Sequence, residues 1–289
     1  MSRLVPLFAC SLLAACATAP SQQPRSETAW VLTAGGKLLR MNAGVPGKIE
    51  QTLSISGLTA GERLLGIDFR SANEKLYGLT SGGRLYVIEP SNGQATAVAP
   101  MGVTLPVAGE WGLDFNPVVD RLRVVNYDGV NLRLHPDTGA QLDGDASAEG
   151  VQQDARLAYV DGDPSMGQKP AIAGAAYTYS KVSKTGTTNF AIDAAAATLV
   201  TQGTREGVQP AVGPNSGKLY TVGKLGAQPE GGVGFDISWK DNAAFAAFRT
   251  AGSRAPSLYL VDLNTGAARL IGEIASSEPV IGLAIAPSW

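Results

Sequence analysis

Three aspartates stand at one position of a repeated pattern. Asp68, Asp114 and Asp236 each follow a glycine by two residues, in Gly66-Ile67-Asp68-Phe69, Gly112-Leu113-Asp114-Phe115 and Gly234-Phe235-Asp236-Ile237. Carboxylates brought together by such a repeat could hold a cation or a polyhydroxy ligand. The simpler role is to accept backbone N–H groups from a neighbouring element, since buried polar groups need partners. Gly174-Ala175-Ala176-Tyr177 and Gly282-Leu283-Ala284-Ile285 repeat the pattern with alanine in place of aspartate, so the carboxylate is dispensable in some copies.

A second cluster is rich in arginine and asparagine: Asn116, Asp120, Arg121, Arg123, Asn126, Asn131 and Arg133. Guanidinium forks match carboxylate and phosphate geometry, so Asn116, Arg121, Arg123, Asn131 and Arg133 are candidates for an anion or sugar site. The competing expectation is a network of ion pairs and caps, with Asp120 and Asp128 as partners.

Other chemistries find less support. Asp143, Asp145 and Asp154 place oxygen ligands in one loop, but an EF-hand requires glycine at the sixth position, and Ala148 stands there. Calcium, on those three aspartates, is thus a weak candidate, and no other cofactor is implied. The single histidine, His135, precedes Pro136 in a turn, a poor place for the base of a nucleophilic pair. Zinc would want several His or Cys ligands. A glycosidase could use two of the aspartates, although nothing in the sequence selects a pair.

The elements that must position these residues are short strands. Successive glycines of the five-copy pattern are 46, 62, 60 and 48 positions apart (differences of the residue numbers), spacings that fit four-stranded propeller blades. Alternating runs follow each copy, such as Lys75 to Leu79 and Arg84 to Ile88, and end on turns such as Glu89-Pro90-Ser91-Asn92-Gly93. Residues 29–56 supply the later strands of a blade without a first one. Val280 to Ala286 reads as a first strand with nothing after it. Paired, the two ends complete a blade and close the ring, removing an open sheet edge. The expected fold is therefore an all-β, five-bladed propeller, with six blades as the alternative if the long stretch between Ala158 and Leu225 is split. Trp111, Trp239 and Trp289 stand near first strands, where packing between blades or an exposed aromatic patch are the two expectations.

The amino-terminal residues carry an address. Arg3 precedes an apolar run from Leu4 to Ala15, which ends in Leu13-Ala14-Ala15-Cys16. A run this short is a secretory signal rather than a membrane span, and its small residues before cysteine are the lipoprotein version. Residues 1–15 are thus expected to be removed as signal peptide. Cys16 is expected to carry lipid, palmitate-type acyl chains included. Residues 16–28 then form a flexible tether, and residues 29–289 one propeller domain. Ala17 after the cysteine favours the outer membrane over the inner. The only other cysteine, Cys10, leaves with the signal, so a periplasmic domain would hold no disulfide. The formal net charge is −2 and no basic stripe is visible, which argues against nucleic acid as a partner.

The runs Asp114-Phe115-Asn116-Pro117, Asp120-Arg121-Leu122-Arg123-Val124-Val125 and Asn131-Leu132-Arg133 resemble the uncharacterised bacterial domain of unknown function numbered 4394. Gly66 to Arg70 with Leu76-Tyr77, Ala175-Ala176-Tyr177-Thr178 and Gly234 to Ile237 resemble it too. The resemblance implies a propeller-like secreted or envelope protein and brings no catalytic residues. The expected function is an envelope-anchored, non-enzymatic binding or scaffolding propeller. Its partners would be the membrane, through the lipid, and an envelope protein or glycan. A glycosidase-like enzyme using channel carboxylates is the alternative.

Overall fold

A computed structural model of the chain describes residues 25–106, 109–180 and 186–287; Cys16, the signal segment and Trp289 lie outside them. The strands, in chain order, form five antiparallel blades. Blade 1 contains β1 (Thr28–Thr33), β2 (Lys37–Asn42) and β3 (Ile49–Ser54). Blade 2 contains β4 (Leu64–Arg70), β5 (Lys75–Thr80), β6 (Leu85–Ile88) and β7 (Ala95–Ala97). Blade 3 has three strands, β8 (Trp111–Asn116), β9 (Arg121–Asn126) and β10 (Asn131–Leu134). Blade 4 contains β12 (Ile172–Tyr177), β13 (Asn189–Asp193), β14 (Thr198–Gln202) and β15 (Lys218–Lys224), with β11 (Ala158–Tyr159) parallel to β15 at its outer edge. Blade 5 contains β16 (Pro229–Ile237), β17 (Ala244–Thr250), β18 (Ser257–Val261) and β19 (Ala268–Glu273).

The final strand, β20 (Val280–Ile285), pairs antiparallel with β1 and becomes the inner strand of blade 1. Ala29 faces Ile285 and Val31 faces Leu283, so the two ends of the domain are joined by a full ladder. The ring has five blades rather than six because residues 158–224 make a single sheet, with the order β11-β15-β14-β13-β12.

The core is not one cluster but five layers, each between adjacent blades. Leu32, Leu38, Ile67 and Tyr86 fill the layer between blades 1 and 2. Phe235, Phe248 and Ile192 fill the one between blades 4 and 5, with Phe248 stacked on Tyr259 at 4.3 Å. The apolar layer between blades 3 and 4 is the smallest, and Val125 is its only buried member from β9. Polar groups occupy the rest of that interface, as described below. Trp111 is buried between blades 2 and 3, whereas Trp239 is exposed at the turn between β16 and β17.

The repeated glycines are required by the approach of the inner strands. A Cβ on Gly112 would lie 2.7 Å from the Ala175 amide nitrogen, and one on Gly234 would lie 2.7 Å from Leu283 Cβ. Real side chains do not tolerate such contacts, so only glycine lets five strands crowd the axis. Residues 25–27, expected to belong to the tether, pack onto blade 5: Arg25 forks onto Asp241 at 2.9 and 3.0 Å and lies over the Phe245 ring.

Candidate functional site

Two sites grow from this frame, one on the axis and one between blades 3 and 4. On the axis, alternation along a strand puts each aspartate on the same side as the glycine two residues before it, facing the next blade. Asp68 Oδ1 accepts the N–H of Phe69 and Oδ2 that of Phe115, both at 2.7 Å. Asp236 accepts the N–H groups of Ile237 and Ile285 in the same way, and Asp114 accepts that of Tyr177. The five N–H groups that follow the repeat position are thus satisfied by three carboxylates. Where the preceding blade has Ala176 or Ala284, the aspartate of the receiving blade supplies the acceptor itself.

Asp68, Asp114 and Asp236 are nearly inaccessible, and one oxygen of each lies within 4.8 Å of the others. Burial pushes all three upward. Asp114 is held well above the usual carboxylate range by burial and by Asp68 and Asp236, and Asp68 by burial and by Asp236. Asp236 is pushed up to about 7 by burial, restrained by the two amides and by a hydrogen bond from the Asp114 carboxyl. Asp114 has one N–H partner rather than two, and its carboxyl also lies against that of Asp236. Tyr179, which no sequence motif marks, is raised by burial and by all three carboxylates. The opening ringed by Gly66, Gly112, Gly174, Gly234 and Gly282 has a volume of about 10 Å³, far too small for a sugar ring.

The arginine cluster does converge. Asn116, Arg121, Arg123 and Arg133 line a cleft of about 560 Å³ together with Val119, Leu142, Tyr177 and the turn at Pro214, Asn215 and Ser216. Register places them: Arg121 lies opposite Asn116, and Arg123 opposite both Asp114 and Arg133. Asp154 accepts from Arg123 Nη1 at 2.5 Å and from Arg133 Nε and Nη2 at 2.9 and 2.8 Å. Arg123 also donates to Asn131, Asn215 and the Tyr177 hydroxyl, so this buried guanidinium has little left to offer a ligand. Asn131 is equally saturated. Its Nδ2 donates to Ala155 and Pro214 carbonyls, and its Oδ1 accepts from Arg123 and Gln202.

Arg121 and Arg133 differ from these two. Among the described residues Arg121 uses only Nη1, on the carbonyls of Val119 and Asp120, and makes no ion pair. Arg133 keeps Nη1 without an acceptor among the described residues. Asn116, which lines the cleft, uses Oδ1 to fix the turn through Val118 and Val119, and among the described residues its amide nitrogen makes no hydrogen bond. Three arginines with a single carboxylate among them make a cationic cleft.

The expected ion-pair partners of this cluster turn elsewhere. Asp120 is held bidentately by Arg70 of blade 2, at 2.8 and 2.5 Å, and Asp128 by Lys169. Nor do the calcium candidates gather. Asp154 is occupied by two arginines, Asp143 Oδ1 accepts the N–H groups of Asp145 and Gln152, and Asp145 Oδ1 accepts from Ser147. Among the described residues, only Asp68, Asp114 and Asp236 come close enough together for one ion. Asp154 as the counter-charge, Tyr177 and Asn215 are members of this site that the arginine cluster's own sequence motifs do not point to. Tyr177 was signalled by its place in the repeat, but nothing local marks Asn215.

Fold and centre define a five-bladed β-propeller sealed by its own two ends, with a closed axis. The chain belongs to the family described as a domain of unknown function, DUF4394, whose model matches residues 37–284. No curated protein matches it significantly. Among solved structures it is similar to a protein from Lactobacillus plantarum at 15% identity, with a TM-score of 0.40, covering 89% of this chain and 71% of that one. It is also similar to a protein of unknown function from Bacteroides thetaiotaomicron, at 13% identity and a TM-score of 0.47, over 90% and 62% of the two chains. A third is Kuenenia stuttgartiensis hydrazine synthase, at 14% and 0.41, over 78% and 53%. The chain thus spans about three fifths of the second and about half of the third.

Proposed function

We propose that this is a lipid-anchored envelope protein whose propeller is a non-enzymatic binding module, taking an anionic ligand in the cleft between blades 3 and 4. The carrying observation is that Arg121 and Arg133 keep donors unused among the described residues around a cleft of about 560 Å³ lined by three arginines, of which Arg123 and Arg133 are paired with Asp154. That volume suits a small ligand, and the Val119, Leu142 and Tyr177 walls suit one with an apolar or sugar-like body. The anchor reading rests on Leu13 to Cys16 and the outer-membrane reading on Ala17. The axial aspartates are buried and none of them lines the opening of about 10 Å³ among the glycines, which weighs against the glycosidase alternative, since that needs two carboxylates around a sugar.

The test is thermal shift and calorimetry of the detergent-solubilised lipidated protein against carboxylates, phosphates and acidic sugars. One class should raise Tm, and Arg121→Ala should abolish the rise while leaving the ligand-free Tm unchanged. Silence across all anions, or full affinity in Arg121→Ala, would overturn the reading. A Cys16→Ala chain should leave the outer-membrane fraction.

A further inference from the structure

The cleft and the amino-terminal segment lie on the same face. Each blade is antiparallel, so turns joining first to second strands and third to fourth strands share one face of the ring, and second-to-third turns the other. The chain enters β1, the second strand of blade 1, from the first of these faces and leaves β20 onto it. The cleft between blades 3 and 4 is lined by the β8–β9 turn and by the turn preceding β15, so it opens there too. Cys16 is separated from Arg25 by eight residues, 17–24, which span at most about 29 Å when fully extended.

Exposed apolar side chains mark that face as well. Eight large apolar residues are exposed by 40% or more among the described residues. Of these, Met101, Val151 and Met166 stand on connections between strands of different sheets or at a blade edge and Leu270 on β19, while Val45, Val119, Val208 and Trp239 stand on turns within blades. These last four turns belong to blades 1, 3, 4 and 5 respectively, and every one of them is of the first-to-second or third-to-fourth kind. Isolated exposed apolar residues need no explanation, but four tips from four blades on the anchored face form a ring. Tryptophan favours the headgroup layer of a bilayer. Val119 sits on the lip of the cleft, between Asn116 and Arg121.

We propose that this face rests on the membrane surface, with the four tips at headgroup level and the phosphate of an anionic phospholipid in the arginine cleft. The proposal rests on the anion-binding and anchor reading above and names its ligand. Arg121 and Arg133 grip the non-bridging phosphate oxygens, the Asn116 amide adds a donor, and the ligand body lies against Val119 and Leu142. Lipidation then makes the encounter intramolecular, so a weak phosphate site is filled by effective concentration.

The test uses the lipidated protein in vesicles of phosphatidylcholine alone or with phosphatidylglycerol, read by amide exchange in residues 116–121 and 213–216 and by bromolipid quenching of Trp239. Phosphatidylglycerol should slow exchange at least tenfold. Quenching should fall in Trp239→Phe, and Arg121→Ala with Arg133→Ala should restore the exchange. Free glycerol phosphate added to neutral vesicles should not reproduce the protection. If it does, the ligand is soluble and the membrane proposal fails while the anion site stands. Equal exchange in both vesicles overturns the proposal, and if no anion shifts Tm either, the anion-binding reading falls with it.

Discussion

Replacing Asp114 by asparagine isolates the proton that the axial aspartates share. Asp114 accepts one backbone N–H and donates to Asp236, and an asparagine amide does both without titrating. In the native protein the folded state holds protons that the unfolded chain releases near pH 4. A carboxyl whose folded value is raised contributes stability below its unfolded value and loses it as pH rises toward the folded one. Moving Asp236 alone from 3.8 to about 7 lowers stability by about 4 kcal/mol once pH exceeds 7. Asp114→Asn should therefore be near neutral at pH 4. It should stabilise progressively as pH rises above that, because the Asp114 carboxyl is held well above the usual carboxylate range. Asp68→Asn and Asp236→Asn should gain the same kind of relief as pH rises, but each carries an added cost at every pH. Each native carboxylate accepts two N–H groups, an amide has one oxygen, and an orphaned buried donor costs about 1–3 kcal/mol. Urea midpoints from pH 4 to 8, with m unchanged, measure all three. An Asp114→Asn protein destabilised at every pH, with the wild-type slope intact, would refute the shared proton.

Three further outcomes follow from the packing. Asp154→Ala leaves Arg123 buried without its counter-charge, and urea unfolding should show a loss of about 3–5 kcal/mol, with Asp154→Glu recovering part of it. Gly112→Ala forces a Cβ against the backbone of Gly174 and Ala175; unlike an overpacked side chain, this contact has no rotamer escape, so the loss in denaturation should exceed about 3 kcal/mol. Arg121→Ala removes only two carbonyl contacts, so its ligand-free stability should change by less than about 0.5 kcal/mol in the same assay.

The ring and its closure were legible in the sequence because both are written in local repetition. The Gly-apolar-Asp/Ala-apolar pattern marks each inner strand, and strand alternation fixes which side chains face the next blade. The unpaired runs at residues 29–56 and 280–286 identify each other by what each lacks. The same periodicity placed Arg121, Arg123 and Arg133 on neighbouring strands, so their gathering into one cleft was also readable.

What the tertiary structure alone decided is who answers whom. Asp120, next in sequence to Arg121, pairs instead with Arg70 of the preceding blade, while Arg123 and Arg133 turn to Asp154 in an irregular connection. Asn215, 92 positions from Arg123, completes its shell. Loops without periodicity carry no register, so their contacts are set only when blades meet. The alanines at 176 and 284 show the same limit on the axis: how three carboxylates serve five amides depends on which blade follows which around the closed ring, and hence on geometry that no single repeat contains.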